Sequence, residues 1–115
     1  MLIGQTVIAD EFGLTYYGPW MPSQGNDMTG VVQFFKASGT IASFQCAIQT
    51  KNREDSDSSA STLATLTVGT GTPGAVSTQA ATGCLELVRY TYAPLVSSGT
   101  EWVHFRGLNP IWAHN

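Results

Sequence analysis

Apolar residues recur at every second position along much of this chain, and no stretch of useful length repeats at helical spacing. Phe44, Cys46 and Ile48 form one such series, Val88, Tyr90 and Tyr92 a second, and Val103 with Phe105 a third. Gly and Pro interrupt the chain too often for long helices, and Thr, Val, Tyr and Phe fill the intervals. The pattern predicts short strands at about 2–9, 12–18, 31–38, 40–51, 61–68, 75–81, 84–94 and 101–108, with the Pro- and Gly-rich run 19–30 as a loop. Seven or eight short strands with regular turn signals describe an all-β domain, an antiparallel β-sandwich or a small jelly-roll-like barrel. The whole chain, 1–115, reads as a single domain, with 1–10 and 108–115 as extended arms.

Two hairpins are predicted. Ser38-Gly39 marks a tight turn between 31–38 and 40–51. The second joins CLELVRYTYAP to EWVHFRGL through LVSSGT. Two registers pair its apolar sets: one places Arg89 opposite Arg106, which like-charge repulsion disfavours, and the other places Arg89 opposite His104 and Thr91 opposite Trp102. One outer face would then carry Leu87, Arg89, Trp102, His104 and Arg106. Trp and Arg are enriched at binding hot spots, so this face is a candidate interface.

Charge sharpens the picture. Charged residues make up 11% of the chain, against about a quarter in an ordinary soluble domain. Five of the thirteen Asp, Glu, Lys and Arg residues crowd between Lys51 and Asp57. The remaining surface must be Ser, Thr, Gly and Ala, which is poorly defended against association. The five cations are scattered and the net charge is −3, so nucleic acid is not an expected partner. No apolar run is long enough to span a membrane as a helix. The N-terminus MLIGQTVIADEFG has neither a basic region nor an apolar core, so export by a signal peptide is not expected. Cys46 and Cys84 lie outside any Cys-x-x-Cys pair and are expected to be unbridged, with Cys46 in the core.

The charged stretch KNREDSDSS does not fit a calcium loop. It has no central Gly and no closing Glu after Asp57, so no metal site is assigned to Glu54, Asp55 and Asp57. It reads as the wet, mobile end of a hairpin. His104 and His114 have no ligand partners at metal spacing, and no nucleophile, phosphate-loop or zinc motif is present. Glu86 and Glu101 read as separate rim charges and not as a glycosidase pair. The chain is therefore expected to be non-enzymatic and to need no cofactor. An alternative is carbohydrate binding, with Trp20, Trp102, Trp112, Tyr16 and Tyr17 as a stacking platform, although amide side chains are sparse near the tryptophans in sequence.

The phrases QTKNREDSD, LELVRYTY and EWVHFRGLNPIW resemble strand–loop–strand units of small virion proteins of tailed bacteriophages, over about residues 44–112. The resemblance implies a capsid decoration or cement protein. Such a protein is made in the host cytoplasm, sits on the capsid exterior, bridges subunits of the major capsid protein and forms homo-oligomers, often trimers. The runner-up is a sugar-binding sandwich on a fibre or tail. On this view the contact residues are Trp20, Met21, Leu87, Arg89, Trp102, His104, Arg106 and Trp112, with Trp20 and Met21 as anchors in a loop that orders on assembly.

Overall fold

The structure is a computed structural model, and it describes residues 7–9, 15–37, 43–93 and 102–113. Nine strands are found there: β1 (Val7–Ala9), β2 (Tyr16–Tyr17), β3 (Met21–Pro22), β4 (Asp27–Ala37), β5 (Ser43–Lys51), β6 (Ser61–Gly69), β7 (Val76–Thr82), β8 (Leu87–Ala93) and β9 (Val103–Ala113). They form two antiparallel sheets packed as a sandwich. The first sheet has the order β1-β9-β4-β7; the second has β2-β8-β5-β6, with β3 also pairing with β8. The turn at Ser38-Gly39, the loop 95–100, the arm 1–6, Glu101 and His114 lie outside the described residues.

Alternation built the core as expected. Phe44, Cys46, Ile48, Val88, Tyr90, Tyr92, Val103 and Phe105 are all buried, joined by Met28, Val32, Phe34, Leu66 and Val68. The aromatic rings meet between the layers: Phe44 lies 5.2 Å from both Tyr92 and Phe105, and Tyr92 lies 4.4 Å from Phe105, centroid to centroid. Burial pushes the Cys46 thiol up to about 12, which leaves it inert as a nucleophile. Both cysteines are unbridged.

The two predicted hairpins are not formed. β4 and β5 belong to different sheets, and so do β8 and β9. Arg89 pairs with Gln49 of β5, not with His104, and His104 pairs with β1 and β4. The physical reason is that a hairpin and a crossing between layers bury the same alternate residues. Tyr92 and Phe105 meet across the sandwich, their rings tilted by 44°, instead of side by side in one ladder. The true hairpin is β5–β6, and the charged stretch is its connection.

Both ends of the expected loop-and-tail assignment also become strand. β4 begins at Asp27, inside the predicted loop, because Met28 faces inward and Asp27–Gln33 pairs with β7 on one side and β9 on the other. β9 runs on to Ala113, so 108–113 is a paired strand and not an arm.

Two bulges shape the β4–β9 ladder. Thr29 and Val31 face Ile111 and Leu108, so β9 carries an extra residue at Asn109–Pro110. Phe34 and Lys36 face Phe105 and His104, so β4 carries an extra residue at Phe35. The first bulge opens the ladder, and a side chain from the opposite sheet fills the gap. The Tyr90 hydroxyl accepts from the Val31 amide at 2.9 Å and donates to the Leu108 carbonyl at 3.0 Å. Gly30 makes room for it: a Cβ there would lie 2.7 Å from Ile48 Cδ1 and 3.2 Å from Tyr90 Cε1. Tyr92 contributes its ring, and its buried hydroxyl has no hydrogen-bond partner among the described residues.

Candidate interaction surfaces

The eight candidate residues do not share one face. Because β8 and β9 lie in opposite layers, Leu87 and Arg89 point outward from one sheet, while His104 and Arg106 point outward from the other. Trp102 precedes β9 and is half-buried. Met21 and Trp112 turn inward at an edge of the sandwich and pack against the core.

The first surface is the outer face of the β8 sheet. β2 and β3 run along β8 as one interrupted edge strand. Tyr17 pairs with Thr91 and Met21 with Val88, while Gly18 N donates to Tyr90 O at 2.8 Å. Pro19 has no N–H to give, so the ladder lapses and Trp20 is carried out over the sheet. There the Arg89 guanidinium carbon lies 4.3 Å from the Trp20 ring centroid and 4.4 Å from that of Tyr17. Lys51 Nζ lies 4.9 Å from the Trp20 centroid. Arg89 Nε donates to Gln49 Oε1 at 3.0 Å.

The charged loop completes this cluster. Asp57 Oδ1 accepts from Lys51 Nζ at 2.8 Å and from Trp20 Nε1 at 3.0 Å, and Asp57 Oδ2 lies 3.8 Å from Arg89 Nη1. Lys51 also donates to the Asp55 carbonyl at 2.9 Å. The Asn52 amide donates to Asp55 Oδ2, and the Arg53 amide to Glu86 Oε1. The expected wet, mobile loop is thus tied down at both ends to the sheet beneath it. Lys51 and Arg89 are each only 8% exposed, yet two cations share one largely exposed carboxylate. The hydrogen bond from Lys51 holds the Asp57 carboxyl below its usual range; Trp20 and the nearby Arg89 charge push the same way, against partial desolvation. Sequence separation hid this site: Trp20 and Asp57 lie 37 residues apart.

The second surface is the outer face of the β9 sheet. Arg106 Nε donates to Gln33 Oε1 at 2.8 Å, and its guanidinium carbon lies 5.4 Å from the Phe35 ring centroid. Phe35 follows inward-facing Phe34 and so lies on this face, 5.8 Å from the His104 ring, and the bulge brings Lys36 onto the same side. Register places Val76, Val31, Leu108 and Ile111 on the same side as Arg106, and Val76 and Ile111 are 50% and 64% exposed. Lys36 and Arg106 supply the cations of the surface, and no ion pair to Arg106 is formed among the described residues.

The third feature is a cleft of about 370 Å³ where the sandwich opens between β3 and the distal part of β9. Met21, Pro22, Gln24, Asn109, Pro110 and Trp112 line it. β1 covers β9 only from Val103 to Phe105, so this stretch of β9 has no described neighbour on its outer side. The proposed five-aromatic platform is not assembled. Tyr16 faces inward against Tyr92, Tyr17 and Trp20 clamp Arg89, and Trp112 stands at the cleft.

Comparison with known proteins adds no relative: no protein family, curated protein or solved structure matches this chain.

Proposed function

We propose that this chain is a non-enzymatic virion structural protein, a capsid decoration or cement protein that works by covering neighbouring subunits. The phage assignment rests on the sequence resemblance. The observation that supports an assembly role is the outer face of the β9 sheet, which presents Val76, Leu108, Phe35 and Ile111 around Arg106. A large apolar set around one arginine matches the make-up of the energetic centre of a protein interface. Little charge has to be desolvated when such a face is covered, because most of the charge on the described residues is gathered at the opposite sheet around the 52–60 loop.

A standard contact buries about 800 Å² per partner, and many weak copies on one shell act together. A protein that binds only the expanded shell stabilises that state by mass action. The major capsid protein is the proposed partner, and a homo-oligomer the proposed working form.

Co-sedimentation with expanded, empty tailed-phage heads tests the reading, with sedimentation velocity reporting the oligomeric state. The wild type is expected to bind and to raise the temperature of head disruption. Ile111→Asp, at an exposed position, is expected to abolish binding while leaving the monomer folded. Binding that survives Ile111→Asp and Arg106→Ala together would remove this face from the interface. A monomer that leaves the heads bare would remove the assembly role.

A further inference from the structure

We infer that the cleft between β3 and the distal part of β9 is a binding site for a neutral sugar. This inference does not depend on the assembly reading, because it concerns a different surface. The cleft has three properties that together select the ligand. Part of its wall is rigid and apolar: Pro22 and Pro110 have fixed rings, and Trp112 and Met21 are anchored because they also pack against the core. Two of its described lining residues, Gln24 and Asn109, are exposed and carry amide side chains, each with two N–H donors and a carbonyl acceptor. Among the described residues, none that lines it is charged.

A pyranose ring matches this set. One face of it is a patch of C–H groups that lies against an indole, and its edge is a row of hydroxyls that both donate and accept. A charged ligand would find no counter-ion among the described residues of the cleft. A purely apolar ligand would leave two amides without water or partner. An added peptide strand is disfavoured, because Pro110 has no N–H and sits in a bulge that breaks regular pairing along β9. A volume of about 370 Å³ lies at the small end of the range for small-molecule sites and suits one or two sugar rings.

The fold brings together what the sequence kept apart. Asn109, Pro110 and Trp112 come from one stretch of β9, and Met21, Pro22 and Gln24 join them from a distant part of the chain because β3 and the distal part of β9 form facing edges of the two layers. Gly25 helps to set this approach, since a Cβ there would collide with the Ala113 carbonyl oxygen.

The test is calorimetric titration of the full chain with glucose, galactose, mannose, N-acetylglucosamine and their β-linked disaccharides, with glucuronate as the charged control. At least one neutral probe is expected to bind at millimolar concentration and to change tryptophan emission. Gln24→Ala and Asn109→Ala, both at exposed positions, are each expected to weaken that probe about tenfold, the loss of roughly one ligand hydrogen bond. Trp112→Phe is expected to remove the emission change, and Trp20→Ala to leave affinity unaltered. The inference is overturned if every neutral probe gives a flat titration, if glucuronate alone binds, or if binding follows Trp20 and ignores Gln24 and Asn109. Head binding by the same preparations is read separately, so loss of one reading leaves the other standing.

Discussion

Arg89 and Arg106 occupy matching places on opposite faces of the sandwich. Each sits in a strand of its sheet's interior, donates Nε to a cross-strand glutamine and lies against an aromatic ring. Their surroundings then diverge. Arg89 is clamped between two rings, approached by Asp57 and 8% exposed. Arg106 has one ring at 5.4 Å and remains half-buried. A guanidinium can be withdrawn from water when stacked rings and a carboxylate replace its hydration. With the weaker set it keeps part of its surface available to a partner. The difference ties Arg89 to the protein's own stability and leaves Arg106 free to serve the proposed interface.

The sharpest way to break this contrast is to delete both side chains in turn. Arg89→Ala is expected to cost about 2–3 kcal/mol in urea unfolding, from lost stacking and a lost buried hydrogen bond. Equal destabilisation by Arg106→Ala would erase the distinction. Trp20→Ala comes next, at about 1–2 kcal/mol, since it uncovers Arg89 and Lys51 together. Arg106→Ala itself is expected to cost under about 1 kcal/mol, with its larger effect on head binding.

The smallest effect is acid sensitivity. Asp57 has a folded pKa held below its unfolded value, so its contribution is present above the ordinary carboxylate pKa. That contribution is lost as pH falls through the lowered folded value. Wild type should therefore lose stability in that acid window relative to Asp57→Asn, measured by thermal melts at stepped pH. Parallel curves for the two proteins would show that the latch contributes nothing.

Much of the fold was legible from alternation. The inward set from Phe44 to Phe105 was readable because period two marks the dry side of a strand whatever its partner is. Partnership was not readable, and that is where β8–β9 and β4–β5 misled. Short connections favour hairpins, yet a chain that crosses between layers buries the same residues. The KNREDSDSS stretch was readable as the end of a hairpin. Its attachment to the sheet was not, because it depends on Trp20, delivered from a distant segment by a lapse in pairing at Pro19. Pro110 did carry a local signal, since a proline within a strand implies an edge or a bulge, and both are found there. That Gln24 lines the same cleft as Asn109 and Trp112 could not be seen in sequence, because only the meeting of two sheet edges brings them together.

The Tyr90 hydroxyl has a consequence for how the layers are aligned. It starts in one sheet and completes the ladder of the other, so it works as a dowel through two boards. Sliding either board by a single residue would strand the Val31 amide, the Leu108 carbonyl and the phenol together in a dry interior. Greasy contacts between layers tolerate many offsets, whereas this polar peg tolerates one. The relative placement of the two faces, and with it the shape offered to any neighbour, is pinned by a single oxygen atom.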